Sequence, residues 1–194
     1  MRAVTAEEFL KLLESWLTQL ERPLVVAIDG RSGAGKSTLA QWLAERLDAL
    51  VLAGDDFFAG GVEVNSDPAQ VLAERCIDWQ EQRRVLRALR DEGSARYFPF
   101  DWYAFDNSRS AIATELRARP VILLEGTYSA RPELADLVDL AILVDVPDSL
   151  RMERLLAREG EIGPWERQWH RAEDWYLARQ APVGRFDCVL RDGH

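Results

Sequence analysis

Two stretches of this 194-residue chain hold residues whose types and spacing could do chemistry: GRSGAGKS at 30–37 and GDDFF at 54–58. The first places glycines at 30, 33 and 35 ahead of Lys36 and Ser37, which satisfies G-x-x-x-x-G-K-[ST]. Small residues let the backbone curl until successive N–H groups face inward, and a helix beginning near Lys36 adds its positive end. Such a loop cradles the phosphates of a nucleoside triphosphate. The lysine supplies a point charge for the β and γ phosphates, and the Ser37 hydroxyl is placed for Mg²⁺. Gly30, Arg31, Ser32, Gly33, Ala34, Gly35, Lys36, Ser37 and Thr38 form the predicted nucleotide-binding set. A random chain of this length would match the pattern in roughly one case in a hundred. Here the match also lies between a buried-strand pattern and a helical one, the context it requires.

The second stretch follows about one helix-length later, after a short apolar run at 50–54. In an open parallel sheet, ligands bind beyond the carboxyl ends of the strands, so Asp55 should face the same crevice as the Gly-rich loop. A carboxylate there can take the proton of an attacking hydroxyl. The other reading of an Asp-Asp pair is a capped turn, and both stand. A guanine-specific switch is excluded, because the chain has no N-K-x-D motif and only two lysines, Lys11 and Lys36, among its 24 basic residues.

The elements that must position these groups follow from hydrophobic periodicity. Thr5 and Glu8 form a capping-box pattern, and Phe9, Leu12, Leu13, Trp16, Leu17 and Leu20 recur at helical spacing, so a helix is predicted over 6–20. LVVAIDG (24–30), VILLEG (121–126) and LAILVDV (140–146) read as strands buried on both faces, and FDCVL (186–190) as a last strand. Helices are predicted to about Asp48, from Asp67-Pro68 to Arg90 with a break near Asp78, and over 147–159 and 164–179. The aromatic segment 94–106 carries no clear period. Strands separated by helices imply an α/β layer fold with a mostly parallel sheet.

The bulk properties narrow the class. A chain of this length fits one domain, 1–194, and its 47% apolar content suffices for a core without disulfides. A formal net charge of -9 argues against a nucleic-acid partner. Two cysteines far apart suggest neither a disulfide framework nor a zinc site, and no apolar run approaches a membrane span, so a soluble cytoplasmic protein is expected. Oligomeric state is left open between monomer and homodimer.

GRSGAGKS, DDFF, IDW at 77–79 and LLEG at 123–126 together resemble the uridine kinase, nicotinamide riboside kinase, pantothenate kinase and phosphoribulokinase group of P-loop kinases. The likeness runs from Leu24 to about Arg158, with residues 1–22 as an extra helical extension. It implies a three-layer P-loop NTPase fold with an Arg-bearing lid at about 158–165, and a phosphotransferase using ATP and Mg²⁺ on a small-molecule hydroxyl. It carries the general base over to Asp55 and metal binding to Ser37, Asp55 and Glu125, with an arginine salt bridge as the other reading of Glu125. Lys36, Arg154 and Arg158 would cover the transferred charge. Arg151, Arg154 and Arg158 share one helix face by spacing, which alone would describe a solvated stripe.

For the acceptor, the resemblance points to Asp78 on sugar hydroxyls, a role that competes with simple helix capping. It also points to Phe100-Asp101-Trp102 with Ser108-Arg109 as a pocket segment. Asp56, Phe58, Asp78, Tyr97, Asp101, Trp102 and Arg109 are the predicted acceptor set, and each aromatic among them could equally be core or packed flap. A nucleoside-like acceptor of uridine, cytidine or nicotinamide riboside type fits best. Pantothenate, another hydroxylated metabolite, and a regulatory ATPase without an acceptor remain as alternatives. The tryptophans at 165, 169 and 175 have no counterpart in the resemblance.

Overall fold

A computed structural model describes residues 2–191. Strand β1 (Arg2–Val4) leads into helix α1 (Ala6–Leu17), whose N-terminus carries the predicted capping box: Glu8 N–H donates to Thr5 Oγ1 and Thr5 N–H to Glu8 Oε2. Strand β2 (Leu24–Asp29), α2 (Lys36–Ala44) and β3 (Ala49–Ala53) come next. The predicted break at Asp78 separates α3 (Ala69–Arg75) from α4 (Trp79–Glu92). A hairpin of β4 (Ser94–Tyr97) and β5 (Thr114–Arg117) precedes β6 (Val121–Glu125), β7 (Leu140–Val144), α5 (Asp148–Glu159), α6 (Pro164–Arg179) and β8 (Cys188–Leu190).

The main sheet has six strands in the order β1-β8-β7-β2-β6-β3, and every pair in it is parallel. Alternation along the central strands divides the core in two. Leu24, Val26 and Ile28 of β2, with Val121 and Leu123 of β6, pack with Phe9 and Leu13 of α1 and Leu39 and Leu43 of α2. Val25, Ile122 and Leu124 point the other way, toward Leu72 of α3, Leu86 of α4 and Tyr176 of α6. Helices therefore cover both faces, which is why these strands read as unbroken apolar runs. The result is the expected three-layer α/β fold.

Three sequence expectations change. Helix α1 stops at Leu17 rather than residue 20, with Thr18 as its C-cap. Residues 2–4 are not part of a helical extension, since β1 adds a strand to the edge of the sheet through β8. The segment left unassigned at 94–106 holds β4 and the start of a loop that returns as β5, forming an antiparallel hairpin separate from the main sheet.

Candidate active site

The Gly-rich loop joins the carboxyl end of β2 to the start of α2, at the centre of the sheet. Gly30 has φ +144, and a Cβ there would collide with the Val144 carbonyl oxygen, so only glycine lets β2 pass this close to β7. Beneath the loop lies Asp29, fully buried at the end of an otherwise apolar strand. Its carboxylate accepts from Gly30 N–H (2.7 Å), Tyr128 N–H (3.2 Å), Ala130 N–H (2.8 Å) and Tyr176 O–H (2.7 Å). Burial pushes this carboxyl above its ordinary pKa, while the Tyr176 hydroxyl and the backbone donors pull against that shift.

Lys36 is nearly buried and lies across the loop. Its ammonium donates to Arg31 O (3.0 Å) and Thr127 Oγ1 (3.3 Å). At the next residue, Ser37 Oγ donates to Glu125 Oε2 at 3.1 Å. Parallel pairing sets Ala53 opposite Glu125, so the turn after β3 delivers Asp55 beside that carboxylate. The two turns come so close that a Cβ on Gly126 would lie 3.2 Å from Gly54 Cα and 3.7 Å from Asp55 Oδ1. Burial pushes the Glu125 carboxyl up, the charge of Asp55 adds to the rise, and Lys36 and the Ser37 hydroxyl counter it.

Two cavities meet at this point. One, of about 240 Å³, is lined by Gly33, Gly35, Lys36, Ser37, Glu125 and Arg154, among others. The second, of about 760 Å³, extends away between the β3 turn, the hairpin loop and α6. Ser32, Asp55, Thr127, Leu155 and Arg158 line both. A carboxylate thus stands between a phosphate-sized cradle and a metabolite-sized chamber, the arrangement a phosphoryl transfer needs.

Residues 26–175 match the AAA domain family. The chain belongs to that family. A uridine kinase of Lactobacillus johnsonii is 27% identical over 154 residues, covering 73% of this chain and 70% of the relative. Among solved structures, a possible uridine kinase from Bacillus stearothermophilus superposes with TM-score 0.69 at 21% identity, over 95% of this chain and 98% of that one. A D-glycerate 3-kinase from Cryptococcus neoformans has TM-score 0.60 at 14% identity, over 88% and 87%. At these identities the structures show a shared fold. With the curated relatives, this AAA domain chain is an ATP-dependent P-loop kinase, as the sequence resemblance implied.

Within this AAA domain, Ser32, Gly33, Gly35, Lys36, Ser37 and Thr38 line the smaller cavity. The Arg31 guanidinium turns outward instead, to Asp174 on α6 at 2.7 Å. Arg154 donates to Ala34 O (3.1 Å) and faces the cradle, whereas Arg158 reaches the junction of the two cavities and pairs with Glu159. Arg151 is buried under the loop, bonded to Asp148 (2.7 Å) and to Ser32 O (3.4 Å). The predicted lid range begins at the end of α5 and continues through the 160–163 link into α6, with Gly160 at φ +82.

The predicted acceptor set divides. Asp56, Phe58 and Trp102 line the large cavity. Tyr97, Asp78, Asp101 and Arg109, expected at the acceptor, do not; Tyr97 and Arg109 brace the hairpin against the β3 turn. Tyr97 O–H donates to Asp56 Oδ2 (2.6 Å), and Arg109 bonds Asp56 O (3.1 Å) and pairs with Asp78 at 3.6 Å. Asp78 also caps α4 by accepting from Glu81 N–H, the local alternative weighed for it. Asp101 accepts from the N–H groups of Tyr103 and Ala104, holding a turn. Burial raises the Asp56 carboxyl, and the Tyr97 hydroxyl partly offsets this.

Sequence reasoning missed the contribution of α6. Trp165, Trp169 and Glu173 recur every four residues on one helix face and line the large cavity, with His170 beside them. Glu173 is 5% exposed and accepts from Ser32 N–H (3.2 Å) and the Ser32 hydroxyl. The i, i+4 stripe was visible in the sequence; what it faces was not.

Proposed function

We propose that this kinase moves the γ-phosphate of ATP to a hydroxyl of a small, ring-bearing, nucleoside-like acceptor lodged in the large cavity. The observation carrying this reading is the position of Asp55, which lines both cavities. An acceptor alcohol entering from the aromatic side meets that carboxylate at the mouth of the phosphate cradle. Asp55 takes its proton as the oxygen attacks. Lys36, Arg154 and the loop N–H groups hold the β and γ phosphates, and Arg158 covers the charge that develops on the transferred group. Closure of 158–165 over this junction excludes water and limits hydrolysis.

Magnesium fits the residues present. The Ser37 hydroxyl and the Glu125 carboxylate are 3.1 Å apart, Asp55 is close enough to raise the Glu125 pKa, and all are hard oxygen donors. Among the described residues no group of three or more acidic, histidine or cysteine side chains could hold a metal alone. Mg²⁺ suits such a site, because it takes one or two carboxylates and completes its shell with water and substrate phosphates. When bound, it would neutralise charge on the β and γ oxygens.

The whole chain is read as one kinase domain. Both cysteines are free and buried, as in a reducing cytoplasm, and among the described residues no helix is long and apolar enough to cross a membrane. The test is ADP release from ATP and Mg²⁺ across a panel of nucleosides and hydroxylated vitamins. Acceptor-dependent release that disappears in Asp55→Asn is expected. Slow hydrolysis indifferent to every acceptor, and to that substitution, would reject the reading.

A further inference from the structure

We infer that Glu173, on α6, is a positioning residue for the phosphate cradle: it fixes the Ser32 peptide from outside the loop, and with it the shape that the loop presents to a triphosphate. The inference rests on the cradle assignment made above and adds to it a residue far along the chain. Ser32 is held at three atoms. Its N–H donates to Glu173 Oε2 at 3.2 Å, its hydroxyl donates to Glu173 Oε1, and its carbonyl oxygen accepts from Arg151 of α5 at 3.4 Å. One residue of the loop is thus fastened to two helices. Beside it, Ala34 N–H donates to Arg31 O at 3.1 Å, and a Cβ on Gly33 would lie 2.6 Å from Arg151 O. An N–H bonded to Glu173 is not aimed at a phosphate, so fixing the Ser32 peptide decides where the N–H groups after it point.

The same carboxylate reaches the lysine. Glu173 Oε1 lies 3.5 Å from Thr127 Oγ1, which donates to Gly30 O (2.9 Å) and accepts from the Lys36 ammonium (3.3 Å). Glu173 is nearly buried, and the groups bonded to it are neutral. Burying a carboxylate is costly, and a negative charge beside a phosphate site repels the ligand. Its charge therefore does not explain its place; its length and its two acceptor oxygens do. Asp174 gives the contrast. It pairs with Arg31 at 2.7 Å, but its side chain is 56% exposed, and an ion pair so open to water contributes little. Glu173 lines the larger cavity whereas Ser32 lines both, so the carboxylate acts through the loop.

Two conservative variants separate shape from charge. Glu173→Gln keeps the length and both hydrogen-bonding atoms: its amide oxygen can accept from Ser32 N–H while its NH₂ donates to Ser32 Oγ. Glu173→Asp keeps the charge but is one methylene too short to hold both groups of Ser32. Calorimetry on the full chain, with Mg²⁺ and a non-hydrolysable ATP analogue, reads affinity well below the melting temperature of each variant. Glu173→Gln should bind the analogue as tightly as the parent or more so, and Glu173→Asp about tenfold more weakly. Any other pattern overturns the inference. A purely structural role would lower both melting temperatures and leave both affinities alone, and a role for the charge would weaken the glutamine variant instead. Lys36→Ala checks the cradle itself. If that variant binds the analogue like the parent, the cradle assignment fails; if it loses binding while the two Glu173 variants bind alike, only the role of Glu173 fails.

Discussion

Ser37 Oγ donates to Glu125 Oε2 at 3.1 Å, joining the first turn of α2 to the end of the neighbouring strand β6. The contact fixes a hydroxyl and a carboxylate at one place, and Asp55 adds a second carboxylate close enough to make Glu125 harder to ionise. Two acids crowded at a phosphate cradle are unfavourable until a cation arrives, so stability and metal binding oppose each other here.

Glu125→Gln tests that opposition. Burial, then the charge of Asp55, holds the Glu125 pKa above its unfolded value. The folded chain therefore holds this proton more tightly than the unfolded chain, and the stability linked to it is lost as pH rises through the raised pKa. Glutamine removes that loss. The metal-free variant should melt at a higher temperature than the parent at pH 7, with the gap closing as pH falls into the ordinary carboxylate range. Mg²⁺-dependent ATP affinity should fall by about 10- to 100-fold in the same variant. Thermal denaturation with and without Mg²⁺-ATP reads both effects, and a lower apo melting temperature at pH 7 would contradict the account.

Asp55→Ala should leave ATP binding largely intact and reduce transfer by about 10² or more. Removing its charge also relieves Glu125, so the pKa of that neighbour should fall toward the ordinary carboxylate value. Titration with an ATP analogue and acceptor-dependent ADP formation separate the two effects. Turnover close to the parent's would dismiss Asp55 as the base.

The residues that could be read in advance are those whose environment is local. The Gly-rich loop is a contiguous pattern, and β2 and β6 announce themselves because helices cover both faces of the sheet centre. The hairpin was illegible because its pairing joins Ser94 to Arg117 across a long loop, and its aromatics suit a strand, a core and a cavity wall alike. Strand β1 is three residues long, too short for any period. Asp29 ends an apolar run, and its partners come from residues 128, 130 and 176, which no spacing rule brings together. Tyr97 and Arg109 were expected at the acceptor, Arg109 through the Ser108-Arg109 pair of the resemblance; sequence could not show that both bond Asp56 and fasten the hairpin there.

Tyr176→Phe probes the buried support of the loop. The substitution removes one oxygen and leaves the ring packed 4.6 Å from Tyr128 by centroid. It also deprives a fully buried carboxylate of one of its four donors. A hydrogen bond to a charged group contributes about 1.5–3 kcal/mol. The urea midpoint should drop by that amount of stability at constant slope. Unchanged stability would mean that Asp29 is satisfied without the hydroxyl.

Arg154 and Arg158 are one turn apart on α5 and should fail in different ways. Arg154 is bonded to the loop carbonyl of Ala34 and lines the cradle, so on the proposed reading its guanidinium would meet the phosphates in ground state and transition state alike. Losing it as Arg154→Ala removes uniform binding, and the KM for ATP should rise about tenfold with kcat little changed. Arg158 is exposed, paired among the described residues only with its neighbour Glu159, and reaches the junction of the two cavities, where the phosphoryl group would cross on the proposed reading. An interaction made there strengthens only as charge moves. Arg158→Ala should lower kcat by about 10- to 100-fold while ATP affinity holds. Steady-state kinetics at varied ATP and saturating acceptor distinguish the two, and the reverse pattern would exchange their roles.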